Sequence, residues 1–144
     1  MPLNGTWYNE LNSVLNLVVG DYVSDGGTPV TGTYQSQVGN AAGTYTLAGI
    51  TDEGTGDTTP NIGFSVSWVN PTYGNSNSVT AWSGQLQVID GEEVLTAFWL
   101  LTQETNPANN WSATRIGQDV FTRTQPTEEQ VAARLRLGGL PHPA

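Results

Sequence analysis

The sequence predicts an all-β chain: an eight-stranded antiparallel up-and-down β-barrel (a meander) with a short C-terminal helix. Three observations lead there. Apolar and polar residues alternate with a period of two through most of the first 124 residues, which are dominated by Gly, Thr, Ser, Asn, Val and aromatics. Eight such stretches, roughly 4–11, 13–20, 29–38, 43–51, 61–70, 78–89, 93–103 and 112–124, are separated by turn-forming clusters with no helix between them. A sheet of that size hides its edges best by closing on itself. The chain of 144 residues then divides into a β-barrel domain, 1–125, and a helix and tail extension, 126–144.

The first stretch, Gly5-Thr6-Trp7-Tyr8-Asn9-Glu10-Leu11-Asn12-Ser13, sets the pattern. Read as a strand, it turns Trp7, Asn9, Leu11 and Ser13 to one face and Thr6, Tyr8, Glu10 and Asn12 to the other. Trp7 marks the first face as the inner one. Two polar side chains therefore point inward, where they need hydrogen bonds. By the same parity, strand three turns in Gly32, Tyr34, Ser36 and Val38, with Asn40 following in the loop. Strand five turns in Phe64, Val66 and Trp68. Strand six turns in Ser78, Thr80, Trp82, Gly84, Leu86 and Val88. Strand seven turns in Leu95, Ala97, Trp99 and Leu101, and strand eight Gly117, Asp119 and Phe121. The breaks carry turn chemistry: Asp25-Gly26-Gly27, Gly39-Asn40-Ala41, Asp52 through Gly56, a loop from Asn70 to Asn77, Asp90-Gly91, and Asn106 through Asn110.

After Pro126 the pattern changes. Thr127 and Gln130 form a capping box, Val131 and Leu135 lie four apart, and Arg134 and Arg136 occupy the last turn, where they suit the helix dipole. The helix is expected to pack on the barrel or lie beside it, ending at Gly138-Gly139.

Composition excludes several kinds of chemistry. The chain has no Cys and no Lys, and its single His, His142, sits in a Pro-rich tail. Ser-His-Asp and Cys-His catalysis, Schiff-base formation and His- or Cys-rich metal sites are thereby removed. No enzyme activity, metal or cofactor is expected. Carboxylate chemistry is what remains. A Glu10–Asp119 pair fails on parity, because Glu10 faces outward. The net charge is −9, and the first 114 residues hold ten acids and no base, which argues against nucleic acid or an anionic membrane as partner. No run of about eighteen apolar residues suggests a membrane span. Leu15–Val19 is too short and too interrupted for a signal-peptide core. The reading is of a soluble chain, with its compartment left open.

Asp119 is the hardest inward residue to explain as structure alone. Arg115 and Arg123 lie on its own strand, each four residues away, where contact is poor. With Asn9, Ser13, Tyr34, Ser36, Ser78 and Thr80 interleaved among Trp68, Trp82 and Trp99, it describes an aromatic box with convergent donors and acceptors. Such a box suits a small, neutral, flat ligand.

Five segments then resemble one family in order: Gly5–Ser13, Thr31–Asn40, Val79–Gln85, Phe98–Thr102 and Gly117–Thr122. They resemble the avidin/streptavidin family of biotin-binding proteins from about residue 4 to 124. The tail after Pro126 is similar to that of the tamavidin-like members. The resemblance implies non-catalytic, high-affinity binding of biotin in the open end of the barrel. It implies that Asn9, Ser13 and Tyr34 donate to the ureido oxygen, and that Ser36 and Asp119 accept from the ureido N–H groups. Thr80 would face the thiolane sulfur, and Asn40 and Ser78 would hold the carboxylate. Trp68, Trp82, Trp99 and Leu101 would form the walls, and Val38 through Asn40 a lid loop after strand three. Trp111 would be lent by a neighbouring subunit of a homotetramer, a dimer of dimers. A second reading is a structural or interaction barrel whose pocket takes another small ligand or the C-terminal tail of a neighbouring subunit.

Overall fold

The period-two alternation becomes eight strands: β1 (Gly5–Tyr8), β2 (Val14–Val19), β3 (Thr28–Gln35), β4 (Thr44–Thr51), β5 (Asn61–Asn70), β6 (Gly74–Ile89), β7 (Glu92–Gln103) and β8 (Thr114–Thr122). The computed structural model describes residues 2–36, 42–56, 59–136 and 142–144. Each strand pairs antiparallel with the next and β8 returns to β1, so the sheet is a closed barrel, as the alternation predicts. Inward residues from every strand fill it, among them Trp7, Leu15, Val30, Leu47, Leu86 and Phe121. Closure leaves no sheet edge, and burial of these large apolar side chains stabilises the fold by about 1.5–3 kcal/mol each.

Local chemistry explains the turns. Asp90 and Gly91 both have positive φ, 52° and 80°, as the β6–β7 hairpin requires. Asn12 takes the left-handed region at φ 64° in the β1–β2 turn. The loop expected over Asn70–Asn77 is mostly strand. β6 begins at Gly74, which pairs with Asn70, so the turn is Pro71-Thr72-Tyr73. The Asn70 side chain holds that turn by accepting from Thr72 N and Tyr73 N. Between Val79 and Asn75 the β6 strand carries a bulge opposite Trp68, where Asn77 has φ 54°. Val88, expected inward, is 59% exposed, because the long β6–β7 hairpin carries it past the packed interior.

Two helical elements accompany the barrel. The stretch between β7 and β8 forms a short 3-10 helix at Pro107–Ser112, where only irregular turn was expected. Asn106 caps it by accepting from Asn109 N. The C-terminal helix α1 spans Glu128–Arg136. Its capping box is reciprocal: Gln130 N donates to Thr127 Oγ1 at 3.1 Å, and Thr127 N donates to Gln130 Oε1 at 2.9 Å. α1 buries no residue fully and lies beside the barrel. Val131 and Leu135 line a groove with Leu11 and Asn12, and Arg134 reaches Glu10 at 4.0 Å.

The join between β1 and β8 is thin. Among the described residues, one backbone pair, Tyr8 with Thr122, registers the two strands. Side chains extend it: Glu10 Oε2 accepts from Val120 N at 3.2 Å, and Arg123 donates to the carbonyls of Pro2, Asn4 and Thr6. The Arg123 guanidinium also lies 3.6 Å from the centre of the Trp7 ring.

Candidate ligand-binding site

β3, β5 and β7 run toward one end of the barrel, and the inward residues near that end are polar and aromatic. Asn9 follows β1 directly. Its side-chain oxygen accepts from Leu11 N at 3.0 Å and Ser13 N at 2.8 Å, which knits the turn together. That leaves the amide NH2 to point inward, where it donates to Tyr34 OH and Asp119 Oδ1, each at 3.4 Å. Ser13 hydrogen-bonds the Tyr34 hydroxyl. Asn9, Ser13, Tyr34 and Asp119, drawn from both ends of the chain, therefore share one buried cluster.

Asp119 is 3% exposed and has no cationic partner among the described residues. Its carboxylate is held by neutral donors: Trp82 Nε1 at 2.9 Å and Asn9 Nδ2 at 3.4 Å. Burial raises its pKa to about 7; the Trp82 and Asn9 hydrogen bonds oppose the rise, and the charge of Glu10 adds to it. Burial and the neighbouring Asp119 charge likewise push Tyr34 well above its ordinary value, against the hydrogen bond from Ser13. Arg115 bonds to Gln103, and Arg123 is spent on carbonyls, so neither cation neutralises Asp119.

Register places the walls. Trp82 pairs with Phe64 on one side and Trp99 on the other, and Thr80 pairs with Val66 and Leu101. Trp82 stacks on Phe64 at 4.8 Å and packs against Tyr34 at 5.0 Å. Trp68 meets Tyr45 and Tyr34 edge-on and donates its Nε1 hydrogen to Thr80 Oγ1 at 2.9 Å. Gly117 lies opposite Trp99, whose ring fills the space a Cβ there would need; a Cβ would come within 2.2 Å of it. The Trp99 indole N–H is buried and has no hydrogen-bond partner among the described residues.

Thirteen residues were expected to line one barrel end in a single subunit; of these, Asn9, Ser13, Tyr34, Ser36, Trp68, Thr80, Trp82, Trp99, Leu101 and Asp119 are all buried. Ser78 is only half-buried, displaced by the bulge in β6. Val38 and Asn40, with the expected lid, lie outside the described residues. Trp111 stands on the 3-10 helix, 85% exposed. Glu10 does not pair with Asp119 in a cavity; its carboxylate is engaged by Val120 N and Arg134.

Sequence reasoning missed two features. Tyr45 supports Trp68 and bonds Ala42 O at 2.7 Å; it shares inward parity with Leu47 on β4, a strand whose faces were not separated. The second is the chain's own C-terminus. Thr80 Oγ1 donates to Pro143 O at 2.5 Å, Pro143 is buried, and Ala144 packs against the core cluster. The second of the two readings of the sequence offered this tail, as one possible occupant, to a neighbouring subunit's pocket. In the structure the tail meets Thr80 of its own chain.

A closed barrel with a buried, hydrogen-bonded polar cluster between aromatic walls at one end belongs to the class of small-ligand-binding barrels. The Avidin family model matches residues 1–124. Avidin of Gallus gallus is 35% identical over 132 residues, covering 88% of this chain and 81% of that protein. Avidin-related protein 4/5 of the same organism gives the same identity and coverage. Fibropellin-1 of Strongylocentrotus purpuratus is 30% identical over 130 residues, which are 84% of this chain and 11% of that larger protein. The chain belongs to the avidin family.

Proposed function

We propose that this chain binds biotin without chemical turnover, as a homotetramer. The observation that carries the reading is the buried cluster of Asn9, Ser13, Tyr34 and Asp119, linked by hydrogen bonds and walled by Trp82. In this reading Asn9, Ser13 and Tyr34 converge on the ureido oxygen, and Ser36 and Asp119 accept from the two ureido N–H groups. An ionised Asp119 makes the stronger, charge-assisted bond. Trp68, Trp82, Trp99 and Leu101 bury the bicyclic ring, Thr80 faces the sulfur, and Ser78 and Asn40 take the carboxylate, with Val38 through Asn40 closing as a lid. Preorganised donors in a dry, shape-matched site bring affinity toward the ceiling for non-covalent binding.

The tetramer is supported by the outer faces of β6–β8, where Val79, Phe98, Leu100 and Ile116 are exposed apolar residues. Trp111, on the 3-10 helix, is the residue a neighbour would receive. Titration with biotin, followed by tryptophan fluorescence with calorimetry alongside, tests the reading. One site per chain is expected. Absence of binding by folded protein sinks it.

A further inference from the structure

From the contacts of Thr80 we infer that this pocket is also a receptor for a proline-containing peptide segment, and that the chain's own Pro143-Ala144 is its resident ligand. Thr80 is fully buried on β6, and its hydroxyl is bonded on both sides: it accepts from Trp68 Nε1 and donates to Pro143 O. The tail therefore engages the pocket through a hydroxyl and an indole of its wall. Pro143 suits this place because it carries no N–H, so one donor fewer must be desolvated on entry. Ala144 packs its methyl group against the core cluster. His142 Nδ1 lies 2.7 Å from Ala144 O, a polar contact within the tail itself.

The route supports occupancy by the same chain. α1 is held beside the β1–β2 turn by Arg134 and Glu10, and that turn carries Asn9 at the same barrel end. Five residues, 137–141, join Arg136 to His142. A tether that short keeps the tail at high local concentration, and prolines at 141 and 143 reduce the entropy lost on seating it. The ligand class is a peptide with proline at the residue whose carbonyl meets Thr80 and a small apolar residue after it.

The test uses the full chain carrying Pro143→Asp, which places a charge where the wall is apolar; truncation after Leu137 serves as a second variant. The synthetic peptide of residues 138–144 is titrated into each and read by tryptophan fluorescence. Saturable binding to both variants, at least tenfold tighter than to the wild type, is expected. No binding to either folded variant, or equal binding by variants and wild type, overturns the inference. Biotin association gives a further measurement. A tail seated nine-tenths of the time slows it about tenfold in the wild type relative to the variants. Equal association rates overturn resident occupancy. If no form takes biotin, the proposed function fails, and the peptide titration still decides this inference.

Discussion

Trp82 Nε1 donates to Asp119 Oδ2 at 2.9 Å, joining β6 to β8 across the barrel interior. This bond and the one from Asn9 keep a carboxylate in a site that excludes water, without a counter-cation among the described residues. Their opposition to burial leaves Asp119 titrating at about 7, and that value has separate consequences for stability and for binding.

The first concerns the ligand-free fold. The folded pKa is raised above the unfolded one, so below about pH 4 both states are protonated and burial carries no charge penalty. Between about 4 and 7 the unfolded chain releases its proton while the folded one keeps it, so stability falls as pH rises, then levels off. A shift of this size corresponds to about 4 kcal/mol. Denaturant melts at pH 4.5 and 8 should show Asp119→Asn gaining on the wild type at the higher pH. Parallel pH profiles for the two proteins contradict the assignment.

The second concerns affinity. If biotin binds the ionised carboxylate, binding requires a proton to leave below about pH 7, and affinity should drop about tenfold per unit of acidification between 7 and 5. Calorimetry across that range checks the slope, which Asp119→Asn should flatten. Asp119→Ala at pH 8 should weaken binding by about 2–5 kcal/mol.

Asn9 has two duties, one per end of its amide. Asn9→Ala removes the acceptor for Leu11 N and Ser13 N and the donor to Tyr34 and Asp119, so a loss of about 2–3 kcal/mol in stability is expected. Asn9→Asp keeps the turn but sets a second negative charge beside Asp119, and should push the Asp119 titration upward. A pH profile of binding that does not move in Asn9→Asp would show that the amide does not face Asp119.

Gly117→Ala tests the wall. The added Cβ would come within 2.2 Å of the Trp99 ring, so the indole must shift, at a cost of about 1–3 kcal/mol. Weakened ligand binding with the barrel's circular dichroism unchanged is the expected signature.

Arg123→Ala tests the seam. It removes three hydrogen bonds to carbonyls and the cation over Trp7, and should lower stability by about 2–3 kcal/mol. Arg123→Lys should recover only part, because an ammonium cannot span three carbonyls and stack at once.

Parity made most of this architecture legible. Once Trp7 set the inner face of the first strand, Asn9 and Ser13 became interior residues, and the same reading on β3, β6 and β8 brought Tyr34, Thr80 and Asp119 to them. The capping box of Thr127 and Gln130 was legible because its chemistry is local. Three things were not. The bulge that displaces Ser78 depends on how β5 and β6 pair, which no residue within β6 announces. Arg123 reads as a surface cation on a strand, and only the returning N-terminus gives it carbonyls to bind. Pro143 sits in a segment with no periodicity, so nothing in its composition said which pocket it would enter.

That Tyr8 and Thr122 form the one β1–β8 backbone pair among the described residues also bears on how the barrel assembles. The other seven junctions join sequence neighbours and can zip hairpin by hairpin, each closing a short loop. The last junction must bring opposite ends of the chain together, so it carries the largest entropic penalty with the least backbone bonding. Asn9 stands on one lip of that junction and Asp119 on the other. Hydrogen exchange at β1 and β8 should therefore be the fastest in the sheet. A ligand bridging the two lips acts as a bolt on the barrel's weakest door, and its departure and the first step of unfolding share the same opening.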